Sequence, residues 1–546
     1  MRAKSAWIVT FALGVCLVGL VVAANLSNGA TRGGYFNADH VYIAAMYEDL
    51  TRWGGRFTDW NFTPAPYFFP DMALYGAARA VTSSIETAQY ATDLLQLICV
   101  IFAAYALLRR VLPDHASEAA LIAPFMVGWV LALYEWAYPF IGSAMAVACH
   151  GGGLLSTLIV FALCLRPPAK LRTSGAVAVA VISALTAGSD ALFFASCSLP
   201  LAAAVLWFGP LKLWRRTRVA PWSRLSLRRC ALGAVSGVAG LWFSRSYGFA
   251  HAEVTNGSLE LAFATWARIR TDPDELAKQT ILALGCVNVL ALLVVAVTWR
   301  HPHRAGLRVL AFWQLAVSSA VVGAYLYNGA HFDRWTLRYL VTPCNLAFIF
   351  VVALVICSLE NAPATVRTSP WPARILAIAT IALFVGAVTQ ASALVTTSYT
   401  APQRPAAECI AELAESEGVT AILGEYWVAK PLMLLSDNRA HVIQVTPSLK
   451  PNFWISSRGW YRPPLAMGML ITNGLDMSAI GKVFGLPQAV AQCGGFQVFL
   501  YQGASRVRMT FRMQNAFDKE LVVSDADRKL GWDRATAEWF GAQSSR

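Results

Sequence analysis

Apolar runs of membrane-spanning length recur along the chain with short basic clusters between them, and this pattern limits the possible folds more than any other feature. Lipid offers no hydrogen-bonding partners to the backbone, so a crossing segment must be a helix of roughly 20 mostly apolar residues. Runs of that kind lie at 6–24, 89–108, 117–137, 151–165, 173–189, 190–208, 230–247, 279–298, 309–327, 338–358 and 374–393. The expected fold class is therefore a polytopic α-helical membrane protein with about eleven transmembrane helices. Composition agrees, since 57% of the 546 residues are hydrophobic and only 14% charged, which excludes an ordinary soluble domain.

The net charge of +13 raises the question of nucleic acid. The Lys and Arg residues cluster between apolar runs, however, as cytoplasmic loops do, and no nucleic-acid partner is expected. Arg109-Arg110, 166–172, 212–229, 299–308 and 367–374 all fall on one side if the N-terminus is inside. Arg2 and Lys4 precede a first run long enough to span and followed by no small-x-small cleavage site, so an uncleaved helix is expected. The apolar stretch 174–208 is broken by Gly188-Ser189-Asp190 between basic flanks. Those flanks require an even number of crossings, hence a hairpin with Asp190 at its outer tip.

Four pieces then face outward: 25–88, 138–153, 249–278 and everything after about 394. The first is rich in aromatics and acids and is expected to hold helices in the interface plane. The last gains charge and shows strand-like runs at 420–425, 441–445 and 496–501 with helical stretches at 406–416 and 477–483. This gives residues 1–397 as a transmembrane domain and 398–546 as a periplasmic α/β domain with a polar tail. Most of the eleven cysteines sit singly in apolar runs, and no Cys-x-x-Cys or His/Cys ligand spacing occurs, so no structural zinc site is expected; no cofactor is expected either. Cys409 and Cys493, the pair in the outer domain, are a candidate disulfide.

The candidate chemistry gathers in the first outer loop and at the outer ends of spans. Asp39 has two readings: a general base for an acceptor hydroxyl at the membrane surface, or the N-cap of the helical pattern Val41, Ala44, Ala45, Leu50. His40 and Tyr42 follow it as candidate substrate contacts. Asp71 is a further candidate, or the cap of a helix after Pro70; Glu48, Asp49 and Asp59 are secondary acids. Asp93, Glu135, His150, Asp190, Arg245, His331, Asp333, Arg334 and Arg338 lie near outer span ends, where ionisable groups face a cavity or a partner. His150, Asp190, Arg334, Arg338 and Tyr339 are taken as substrate-binding candidates. The Arg334-Trp335-Thr336-Leu337-Arg338-Tyr339 run suits a phosphate at headgroup depth, or anchors the span at the interface.

These features resemble the integral-membrane glycosyltransferases of the GT-C fold, in the branch that includes the aminoarabinose transferases of lipid A and the protein O-mannosyltransferases. An acid soon after the first helix (Asp39), within a long aromatic loop, carries the likeness. So does Arg338-Tyr339-Leu340-Val341-Thr342-Pro343, which looks like the Arg-Tyr-x-x-x-Pro signature of a late span, and so does an outer α/β domain after the last span. The resemblance implies a polyprenyl-phosphate sugar as donor and an envelope lipid, glycan or protein as acceptor. It implies Asp39 as catalytic base, Arg338 and Arg334 at the donor phosphate, membrane lipids as partners, and a bacterial inner-membrane location with the C-terminus periplasmic. His40 stands where many members carry a second acid, which argues against an obligatory metal. Three other classes stay open. One is a lipid-linked glycan polymerase or ligase. Another is a transporter or flippase, which should show interrupted spans in two corresponding halves. The third is a non-catalytic scaffold.

Overall fold

The structure is a computed structural model that describes residues 2–27, 36–63, 65–126, 148–165, 172–214, 225–246, 257–272, 275–298, 301, 304–331, 334–361, 403–462 and 464–526. It is predominantly helical and divides into two compact units. The first unit is Met1–Asn25, Tyr67–Asp71 and Asp93–Thr397; the second is Leu26–Pro66, Met72–Thr92 and Ser398–Arg546.

Among the described residues, five helices are long and apolar enough to cross a membrane: Ile85–Val111, Ala191–Gly209, Leu276–Thr298, Ala305–Tyr327 and Thr336–Ser358. Trp7–Gly19, Gly151–Cys164 and Thr173–Ser189 are shorter apolar helices. The second half of the expected span 117–137 and all of 374–393 lie outside the described residues, as do Glu135, Asp333 and the side chain of Arg334. Leu282, Val289, Leu292, Leu293 and Val297 of Leu276–Thr298 are exposed, the mark of a face that meets lipid.

Packing in the first unit relies on small residues where helices touch. Helix Arg172–Ser189 lies against helix Leu227–Ser246 so closely that a Cβ on Gly240 would come 2.0 Å from the Ala184 carbonyl oxygen. Backbone leaves no room there, so Gly240 is required; a Cβ on Gly237 would meet Ser198 Oγ at 2.0 Å and force that hydroxyl to turn away. Helix Gly151–Cys164, here α1, is almost wholly buried. Its C-terminal carbonyls are covered by two arginines: Arg110 donates to Ala162 O at 2.5 Å and Arg229 to Leu163 O at 2.6 Å. Asp190 is the single extended residue between helix Arg172–Ser189 and the short helix Ala191–Phe193.

The second unit is built on a five-stranded sheet. Its strands are β1 (Ala421–Glu425), β2 (Val442–Val445), β3 (Met467–Ile471), β4 (Ala489–Cys493) and β5 (Phe496–Leu500), in the order β2-β1-β3-β5-β4. β1 pairs in parallel with β2 and β3, while β5 runs antiparallel to β3 and β4. The three parallel strands are buried along their whole length, as expected when both faces are covered; β4 forms an exposed edge. Helix Arg404–Ser416 buries Ala407, Ile410, Ala411 and Ala414, the spacing of one apolar face. Cys409 of that helix is disulfide-bonded to Cys493 at the end of β4, with Cα atoms 5.6 Å apart.

The first outer loop contributes helices Tyr42–Thr51 and Ala73–Val81 to the same unit, and its acids hold it to the tail. Fully buried Glu48 accepts from Arg79 at 2.6 Å, Arg52 at 2.9 Å and the Tyr75 hydroxyl at 3.3 Å, while Arg52 reaches on to Asp437. Asp49 accepts both indole N–H groups of Trp60 and Trp460 at 2.8 Å; burial pushes its carboxyl above the ordinary range despite those bonds. Arg462 donates to Asp59 and Arg404 to Glu86. Four of the loop's acids are thus structural partners, because an acid buried in this way needs a donor or cation beside it.

Candidate functional site

Asp39 sits in a turn whose shape is set by its neighbour. Asn37 Oδ1 accepts the backbone N–H groups of Asp39 at 3.0 Å and His40 at 3.2 Å, which turns the chain just before helix Tyr42–Thr51. The N-cap of that helix is Val41, and no side chain caps it. The half-buried carboxylate of Asp39 instead accepts a hydrogen bond from the Tyr426 hydroxyl at 2.5 Å. The capping reading of Asp39 therefore gives way to a contact with the tail, 387 residues along the chain.

Tyr426 is placed by the end of a strand. β1 finishes at Glu425, whose carboxylate accepts the Trp427 backbone N–H at 2.8 Å and so caps helix Tyr426–Leu435, here α2. One turn later Lys430, with no exposed surface, lies under the Tyr426 ring at 3.9 Å and donates to Ile455 O at 3.1 Å. Burial lowers its ammonium to about 7, with Asp39 and Glu425 pulling the other way. The same surroundings push the Glu425 carboxyl up, chiefly through burial. The result is an acid oriented by a phenol, with a buried amine behind the ring and the carboxyl end of a parallel strand beside it. In open α/β sheets that edge is where ligands bind.

His40 and Tyr42 belong to the support of this turn. His40 is buried, its ring 3.4 Å from Asn37 Nδ2 and its carbonyl accepting from Gln89. Tyr42 is fully buried, its hydroxyl on Pro66 O at 3.3 Å and its ring against Trp60. A side chain without exposed surface offers a ligand none, so Tyr42 is corrected from a substrate contact to a core residue.

The remaining candidates whose side chains are described, Asp71, His150, Asp190, Arg338 and Tyr339, lie in the first unit, around the N-terminus of α1. His150 Nδ1 lies 2.9 Å from Asp190 Oδ2, its Nε2 is 3.2 Å from the Tyr67 hydroxyl, and its ring packs on Tyr339 at 5.2 Å. Arg338 lies over the Tyr339 ring at 5.7 Å. Asp71, 1% exposed, accepts the Ala148 N–H at 3.1 Å, and burial raises it to about 7 with Asp190 adding to the shift. It does not cap the helix after Pro70, whose cap residue is Met72. Gly152 and Gly153 admit these acids: a Cβ there would lie 2.1 Å from Asp71 Oδ2 and 2.8 Å from Asp190 Oδ2. Both carboxylates face the positive end of a helix dipole, a structural task that competes with ligand binding. Tyr67, Ala148 and His150 all hold left-handed φ values of 55°, 61° and 66°, strain that non-glycine residues keep only where surroundings fix it.

A similar arrangement stands at His331, whose ring bridges the Tyr325 hydroxyl and Asp272, each at 2.8 Å. Among the described residues no group of three or more His, Cys, Asp or Glu is placed to hold a metal ion. Sequence reasoning missed Tyr67, Tyr426 and Lys430. The only local trace of the last two is an acid followed by aromatics after a strand, Glu425-Tyr426-Trp427, which also reads as a plain helix cap. No protein-family model matches this chain, and no curated protein matches it.

Proposed function

We propose that this chain is an integral-membrane glycosyltransferase of the GT-C kind that moves a sugar from a polyprenyl-phosphate donor to an acceptor hydroxyl, with inversion. The observation that supports the reading most is the carboxylate of Asp39, half-buried and held by Tyr426 where a helix cap had been the alternative. In the proposed step the acceptor O–H proton passes to Asp39 as the acceptor oxygen attacks the anomeric carbon. The bond from that carbon to the phosphate oxygen breaks, and polyprenyl phosphate leaves with the electron pair. Arg338 is assigned to the donor phosphate, since a guanidinium fork matches two phosphate oxygens. The chain would cross a bacterial inner membrane about eleven times, N-terminus cytoplasmic and residues 398–546 periplasmic.

Purified protein supplied with a polyprenyl-phosphate sugar should release polyprenyl phosphate and glycosylate an envelope acceptor. Mass spectrometry of envelope glycolipids from cells with and without the gene identifies that acceptor. Arg338→Ala should cut donor use by about 10²-fold, and Arg338→Lys should restore only part of it, because an ammonium lacks the fork. Unchanged donor kinetics in Arg338→Ala would return the residue to an interfacial anchor.

A further inference from the structure

Trp427 is the second residue of α2 and follows Tyr426 directly. Its indole meets the Tyr426 ring edge-on, centroids 5.0 Å apart and planes at 82°, so it stands one ring away from the Asp39 carboxylate. It is 41% exposed, whereas Trp60 and Trp460 of the same unit are 3% and 6% exposed. The edge it occupies is the switch point of the parallel strands: the chain leaves β1 for β2 on one side and returns to β3 on the other. Val445 at the end of β2 is paired with Glu425; beyond it buried Thr446, whose Oγ1 accepts the Lys450 backbone N–H, holds exposed Ser448 with the two hydroxyls 3.0 Å apart.

An exposed indole, a carboxylate one ring away and the exposed Ser448 hydroxyl beyond the neighbouring strand end match the surface of a pyranose. Such a ring has an apolar C–H face that packs on an aromatic plane and a rim of hydroxyls that needs acceptors and donors. A peptide hydroxyl would arrive on an extended backbone, which is recognised at a sheet edge, and the edges here are β2 and β4 rather than the strand ends. We infer that Trp427 is the stacking platform of an acceptor site beside Asp39, and that the acceptor is a sugar ring of a glycan or glycolipid headgroup. This rests on the glycosyl-transfer reading for what happens after binding, but not for the binding itself.

The test uses the full chain in lipid nanodiscs, free of glycoside detergents, with methyl glucoside, methyl mannoside, methyl galactoside, N-acetylglucosamine and a serine-containing peptide as probes. Saturation-transfer NMR should show ring C–H protons of at least one pyranoside saturated by wild type. That signal should fall by about fivefold or more in Trp427→Ala and be largely kept in Trp427→Phe. With the same saccharide as acceptor, Trp427→Ala should raise KM by about tenfold with kcat within about twofold. Saturation of the peptide alone, or of no probe, or equal saturation in Trp427→Ala, overturns the site. Asp39→Asn separates the two claims. Pyranoside binding with no transfer by wild type would end the transferase reading and leave the site standing, and Asp39-dependent transfer with wild-type kinetics in Trp427→Ala would end the site alone.

Discussion

Lys430 shows what a single buried charge does in this protein. In the unfolded chain its ammonium keeps its proton up to the ordinary 10.5, and in the folded chain burial releases that proton at about 7. Between those values the unfolded state binds more protons, so stability should rise with pH across that window, and the penalty is fully present below about 7. Thermal unfolding at pH 6 and pH 9 should therefore show a gain for wild type that Lys430→Met lacks; equal pH dependence in both would mean the amine is hydrated in the native state. Residue chemistry was partly legible in the sequence. Asp39 stood out by its place soon after the first span, which matches the first-loop acid of the family the chain resembles, but Glu48, Asp49 and Asp59 looked alike in composition there. What separates them is tertiary: Arg79, Trp460 and Arg462 take up the other three, from 31 to 411 residues away. Tyr426 could not be foreseen, because nothing local marks a phenol that meets an acid 387 residues distant.

Helix α1 is the element most completely fixed by charge. Asp71 and Asp190 stand at its N-terminus and Arg110 and Arg229 at its C-terminus, each of the sign that complements the helix dipole. Nothing local hints at this, since Gly151-Gly152-Gly153 reads as a poor helix start and the acids come from two distant segments. The glycines are explained by the approach of those acids. Gly152→Ala places a methyl 2.1 Å from Asp71 Oδ2 and should cost about 1–3 kcal/mol, more than the helix propensity it gains. Gly285→Ala, where a Cβ meets nothing within 4 Å, should be neutral or mildly stabilising. Thermal stability of both variants in detergent checks the contrast, and a Gly152→Ala protein as stable as wild type would remove Asp71 from the helix end. The strands were easier to read where burial makes a continuous apolar run, as at β1, β2 and β5. β3, written Met-Gly-Met-Leu-Ile, and the exposed edge β4 lack the β-branched alternation that signals a strand.

For the whole molecule, membrane character was legible because lipid permits so few solutions, and among the described residues five helices have the length and composition to cross. The grouping of the first outer loop with residues 398–546 in one unit was not legible, because it depends on ion pairs and indole contacts between segments with no sequence signature. If that unit folds in an oxidising compartment, Cys409 and Cys493 should resist thiol labelling in native and in unfolded unreduced protein and label fully after reduction; equal labelling throughout would contradict the bond. The central claim is that Asp39 is the base of a glycosyl transfer, and one substitution addresses it most directly. Asn keeps the shape of the side chain and can still accept from Tyr426, but it cannot take a proton at this pH. In purified protein given a polyprenyl-phosphate sugar and an acceptor, Asp39→Asn should lower turnover by about 10²-fold or more while the unfolding temperature stays near that of wild type. Wild-type turnover in Asp39→Asn would contradict the account.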